Sequence, residues 1–107
     1  MAIVNSIQSN FVITKEPISA PTGLGATTVS DTEISLDWTD ATYGPVEVQR
    51  SLDDVSFDSI ATVDLGVQAY DDTGLAPSTT YYYRIRVVSL PYGNSAFTAS
   101  ESATTDA

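Results

Sequence analysis

The side chains in this sequence that could do chemistry are carboxylates and phenols. Asp53-Asp54 and Asp71-Asp72 form two acidic doublets, with Asp58 and Asp64 between them. Ca²⁺ takes ~6–8 oxygen ligands from flexible loops, which makes Asp53, Asp54, Asp71 and Asp72 the candidate metal ligands. Against that, no D-x-D-x-D-G loop occurs, and aspartates at turns commonly cap the turn and keep a surface soluble. Two carboxylates flanking a cleft could hydrolyse a glycoside, but a chain this small, with Trp and Tyr to fill its interior, leaves no deep cleft. Nucleophilic and redox chemistry lack their residues. There is no Cys and no His, and the single Lys is Lys15. A Ser-His-Asp triad, a Cys nucleophile, a CxxC pair and a Cys/His zinc site are therefore excluded. The expectation is a non-enzymatic protein without a cofactor.

Charge narrows the partners. Four basic against fourteen acidic residues give −10. Phosphate recognition needs clustered Lys and Arg, so neither nucleic acid nor an anionic membrane surface is expected. Protein partners remain, and the aromatic candidates for contact are Tyr43, in Tyr43-Gly44-Pro45, and Tyr92, in Pro91-Tyr92-Gly93. Tyr offers rigid amphipathic area at low entropic cost; the alternative is that each ring pads the proline of its own turn. Tyr82, Arg84 and Arg86 alternate on one strand face, where cross-strand pairing with Glu47 would account for the two arginines.

The elements that must position these groups are strands. A length of 107 residues suits one domain. Apolar residues do not recur at helical spacing; they alternate. Ile34, Leu36 and Trp38 alternate with polar residues, as do Val46 and Val48, and Tyr81, Tyr83, Ile85 and Val87. Turn signals separate the runs. The expected strands are 22–28, 32–39, 45–51, 57–63, 67–71, 80–89 and 96–104, forming an antiparallel sandwich or barrel. The expected core is Leu24, Ile34, Leu36, Trp38, Val46, Val48, Ile60, Tyr70, Leu75, Tyr81, Tyr83, Ile85 and Val87. Arg50 has core parity and is expected to reach water at its strand end. The Trp38 indole N–H is expected to need a partner once buried.

Residues 1–19 differ from the rest. Ile3, Val4, Ile7, Phe11, Val12 and Ile13 make the segment too apolar for a flexible linker, and Pro17 and Pro21 bracket a hinge after it. It is expected to be an extended arm: either a leader or a strand folded back, or an attachment element that adds to a partner's sheet through Ile3, Ile7, Phe11 and Ile13. It has no basic n-region and is not a signal peptide. Met1 fits either a small gene product of its own or a module cut from a longer chain.

Residues 20–105 resemble a fibronectin type III domain. Ala20-Pro21-Thr22-Gly23-Leu24 is similar to the family's proline-led first strand. Ile34-Ser35-Leu36-Asp37-Trp38-Thr39 is similar to the second strand with its core tryptophan, and Val46-Glu47-Val48-Gln49-Arg50-Ser51 to the third in its bacterial form. The most specific stretch holds Leu75, Pro77 and Tyr81 at the spacing of the family's tyrosine corner. The resemblance implies a seven-stranded, antiparallel, immunoglobulin-like sandwich over 20–107. In that sandwich Tyr81 pins a loop through its hydroxyl, and the loops of Tyr43 and Tyr92 share one end. No Arg-Gly-Asp occurs, so integrin recognition does not carry over. Two functions follow as expectations. The first is a small bacteriophage capsid or tail decoration protein in the virion, bound to capsid or tail proteins or to its own copies through the arm. The alternative is a spacer or binding module of a secreted bacterial carbohydrate-active enzyme or adhesin.

Overall fold

The computed structural model describes residues 18–39, 44–89 and 93–107, and those residues form two packed antiparallel sheets without helix. In chain order the strands are β1 (Thr22–Thr28), β2 (Ile34–Thr39), β3 (Val46–Ser51), β4 (Asp58–Val63), β5 (Ala69–Asp72), β6 (Thr80–Ser89), β7 (Gly93–Asn94) and β8 (Glu101–Thr104). One sheet runs β1–β2–β5. The other runs β4–β3–β6–β7, with β8 also on β6.

Alternation produces the core. Ile34, Leu36 and Trp38 point inward from β2, Val46 and Val48 from β3, and Tyr81, Tyr83, Ile85 and Val87 from β6; all are buried, as is Leu75. Leu24, Ile60 and Tyr70 pack against this cluster and are partly buried. Each expected core residue is thus found in or against the core. Trp38 departs in one respect, since its indole Nε1 is buried without a hydrogen-bond partner among the described residues. The ring is packed in the core, and none of the described residues brings an acceptor to it.

The last expected strand, 96–104, forms only over Glu101–Thr104, with the two-residue β7 ahead of it. Between β7 and β8 the chain leaves regular pairing, and side chains complete the ladder. Ser95 and Thr98 donate backbone N–H to the carbonyls of Val87 and Ile85. Their hydroxyls in turn accept the N–H of Val87 (2.8 Å) and Ile85 (3.2 Å). Two hydroxyls thus stand in for strand carbonyls, and this holds Phe97 between them against β6.

Register defines two poles. Ile34 pairs with Asp72, Val46 with Val87, and Ser51 with Tyr82. The 29–33, 52–57 and 73–79 loops therefore gather at one pole. At the other, the 64–68 loop lies beside the strand ends Thr39, Val46 and Ser89. Gly44 packs so closely there that a Cβ would lie 2.8 Å from the Val88 carbonyl oxygen.

Candidate interaction surfaces

Tyr81 makes the corner that its spacing predicts. Its hydroxyl accepts the N–H of Ala76 at 3.0 Å, tying the loop after β5 to the start of β6. Leu75 is buried beneath that loop, and Leu75 N–H donates to Thr32 C=O at 3.0 Å.

Arg50 lies near its strand end with a third of its side chain in water, as expected, and its guanidinium also finds a partner that the sequence does not announce. It lies opposite Tyr83 on β6, and its Nη1 donates to both oxygens of Asp72 at 3.0 Å. Tyr83 donates its hydroxyl to Asp72 Oδ2 at 2.7 Å. Asp72 belongs to one sheet, and Arg50 and Tyr83 to the other, so the three side chains bolt the sheets together at one pole. The partnership has a physical reason: Asp72 is buried inside the sandwich and needs a cation and a donor, which Arg50 and Tyr83 supply. Burial lowers the Arg50 pKa, but the Asp72 bond and charge outweigh it, and the net shift is upward. Burial, reinforced by the adjacent carboxylate, pushes the Tyr83 phenol far above its ordinary range.

The acidic doublets do not converge. Asp71 and Asp72 are adjacent on a strand and face opposite sides of the sheet, Asp71 accepting the Ser35 hydroxyl at 2.7 Å. Asp53 closes a turn: its Oδ1 accepts the N–H of Val55 (3.0 Å) and Ser56 (2.9 Å) and the hydroxyl of Ser51 (2.8 Å). Those bonds hold its carboxyl below the usual range. Ser51 Oγ accepts the N–H of Asp53 and Asp54 in return. Asp54 sits at φ +62°, and the turn shows Leu52 and Val55 to solvent. Beside it a shallow groove of about 390 Å³ is lined by Arg50, Leu52, Ser56, Asp58 and Tyr81, among others. No group of three or more acidic residues able to hold a metal occurs among the described residues.

The outer face of β3 and β6 carries an arrangement that the sequence analysis reaches only in part. Glu47 and Gln49 lie opposite Arg86 and Arg84. Arg86 Nε donates to Glu47 Oε1 at 2.6 Å, the pairing expected. Arg84 Nε donates to Gln49 Oε1 at 2.9 Å, and Gln49 Nε2 to Glu47 Oε2 at 3.1 Å. Burial raises the Glu47 pKa, but the bonds from Arg86, Gln49 and Ser59 and the Arg86 charge prevail and lower it. Two phenylalanines complete the array. The Arg84 guanidinium lies 4.3 Å from the Phe57 ring centroid and 3.9 Å from that of Phe97; Arg86 lies 4.4 Å from Phe97. Phe57 and Phe97 come from the run-in to β4 and from the interrupted edge. Only the register of those segments, which is not written locally, brings them to the arginines.

The remaining candidates, Ile3, Ile7, Phe11, Ile13, Tyr43 and Tyr92, lie outside the described residues.

An Fn3-like protein from Clostridium thermocellum, a solved structure, superposes with a TM-score of 0.71 at 30% identity, over 81% of this chain and 92% of that one. The sandwich is a fibronectin type III domain. Its sequence is 38% identical over 91 residues to a poly(3-hydroxybutyrate) depolymerase of Ralstonia pickettii, matching 81% of this chain and 17% of the enzyme. A β-1,2-glucanase from Parabacteroides distasonis contains the same fold, with a TM-score of 0.74 at 21% identity, over 83% of this chain and 13% of that chain. The chain thus spans under a fifth of either enzyme's length. No family model matches the sequence.

Proposed function

We propose that this fibronectin type III domain is a non-catalytic accessory module of an extracellular bacterial enzyme that degrades a polymer. The observation that carries the reading is the 38% identity to a depolymerase of which the domain spans 17%. A match of that share is a module within a larger enzyme, and the glucanase likeness repeats the pattern. The comparisons weigh toward the second expectation, the enzyme module, and bring no support to the first, the virion decoration protein. Within this reading residues 20–107 are the module and residues 1–19 its connecting or docking segment. A core filled by aromatic and branched side chains suits a rigid spacer that sets the distance between neighbouring domains.

The reading frame that encodes the chain tests the proposal. A polymer hydrolase in the same frame is the expected result. A stop after Ala107 with capsid or tail genes on either side would overturn it in favour of a virion protein. The division at residue 19 is tested by deleting residues 1–18: the melting temperature should stay within a few degrees of the full chain, and unfolding would make the segment an integral strand.

A further inference from the structure

The outer-face array has an unbalanced charge. Arg50 is neutralised by Asp72 and Arg86 by Glu47, whereas Arg84 meets only the neutral Gln49. Among the described residues Arg84 is therefore the one guanidinium without a carboxylate. Phe57 and Phe97 lie over it, Gln49 takes its Nε, and its Nη1 and Nη2 donate to no acceptor among the described residues. The entropic cost of ordering this long side chain is thus met by the fold, and its terminal N–H groups are left for a ligand. A guanidinium edge of this kind matches a carboxylate, which can accept two parallel N–H bonds.

We propose that Arg84, clamped by Phe57 and Phe97, is a binding site for one carboxylate carried on an uncharged, apolar body. Two features select that class. The protein carries a net charge of −10, so a ligand with several negative charges is repelled before it arrives. The two half-buried rings beside the guanidinium give an apolar chain a surface to lie on. The ligand assigned is the free carboxylate end of an aliphatic polyester chain. Its identity rests on the enzyme-module reading and, within it, on the likeness to a poly(3-hydroxybutyrate) depolymerase; the carboxylate site itself rests on the geometry of Arg84.

The test is an NMR titration of the full chain, following the side-chain Nε–H signal of Arg84. The probes are the linear trimer of 3-hydroxybutyrate, its methyl ester, and acetate. The trimer should give a saturable shift. The methyl ester should bind about tenfold or more weakly, as expected from losing charge-assisted hydrogen bonds. Acetate should bind the same site more weakly than the trimer. In Arg84→Gln the trimer-induced shifts of neighbouring backbone amides should vanish while the spectrum remains that of a folded protein. Arg84→Lys, which keeps the charge but loses the fork, should weaken trimer binding and serves as the second variant should the glutamine protein fold poorly. Equal binding of acid and ester, or trimer shifts that survive in both variants, would overturn the carboxylate site. Acetate binding as tightly as the trimer would overturn the polyester assignment and leave a bare carboxylate site. Neither result bears on the reading frame, which decides the enzyme-module reading separately.

Discussion

Arg50 and Arg84 sit on neighbouring strands of one sheet and solve opposite problems. Arg50 faces inward, where burial makes an unpaired charge expensive, and the opposite sheet supplies Asp72 at 3.0 Å with Tyr83 as a second donor. Arg84 faces outward and is held by an amide and two rings, with no carboxylate among the described residues. The inner cluster turns Arg50 Nη1 and the Tyr83 hydroxyl onto Asp72 and so ties the two sheets together. The outer array spends stacking on orienting a cation whose donors stay available. Parity on a strand, one residue in or out, therefore separates a structural arginine from one placed to meet a ligand. Substitutions on the inner side should show mainly as stability, and those on the outer side mainly as binding.

The largest inner-side effect is expected at Trp38. Trp38→Ala removes a ring that is 2% exposed and should cost ~3–5 kcal/mol, leaving a protein marginal at 37 °C. Trp38→Phe should cost less than half of that, because the lost area is partly offset by removing an indole N–H that is buried without a partner. Urea unfolding of both variants measures the difference. A loss in Trp38→Phe above half of that in Trp38→Ala would show that removing the N–H brings no offset.

Next comes the inter-sheet bolt. Asp72→Ala leaves Arg50 and the Tyr83 hydroxyl facing an apolar interior. Because the Arg50 side chain is 33% exposed and can swing toward water, the expected cost is ~2–3 kcal/mol, below that of breaking a fully buried pair. Arg84→Gln, by contrast, loses two ring contacts and one amide bond and should cost ~0.5–1.5 kcal/mol, below Asp72→Ala. If the two substitutions cost the same in thermal or chemical unfolding, the division between inner and outer arginines is wrong.

The tyrosines of β6 give a smaller contrast on one strand. Tyr81→Phe deletes the hydrogen bond to Ala76 N–H and should cost ~0.5–1.5 kcal/mol. Tyr82→Phe should be near neutral, since Tyr82 faces outward. Both changes remove one hydroxyl from adjacent positions, so the difference isolates the corner.

How much of this was legible beforehand follows from the range of each signal. Period-two alternation is local, so Ile34, Leu36, Trp38 and the β6 residues could be placed from sequence. The spacing of Leu75, Pro77 and Tyr81 is also local, and it specified the bond that Tyr81 makes. The Asp72 partnership of Arg50 was hidden, because it crosses between sheets over 22 positions of sequence. The acidic doublet at 71–72 suggested a metal ligand pair, although adjacent strand residues point to opposite faces. Phe57 and Phe97 were equally out of reach. The β3–β4 pairing contains an irregularity after Val48, and the last strand is interrupted, so their alignment with Arg84 depends on two departures from regular register.

The smallest effects should appear at the two edges of the pH range, and they assign each edge to one side of the sheet. Glu47 is held below its ordinary pKa by Arg86, Gln49 and Ser59. A depressed carboxylate contributes stability that is complete above its unfolded value near ~4.3 and is lost as pH falls through the folded value. Between about pH 5 and 3 the wild type should therefore lose ~0.2–1 kcal/mol more than Glu47→Gln, the range of an outer-face cross-strand pair. Tyr83 has the opposite sign. Its pKa is raised, so its contribution is complete below the unfolded value near ~10 and declines as pH rises beyond it. A spectrophotometric titration near 295 nm should show one phenol that ionises only as the protein unfolds, and Tyr83→Phe should remove that late step. Should Glu47→Gln track the wild type through the acid limb, the Arg86 pair contributes nothing to stability. Should the late phenol persist in Tyr83→Phe, the buried donor to Asp72 is a different tyrosine, and the inner half of the comparison fails.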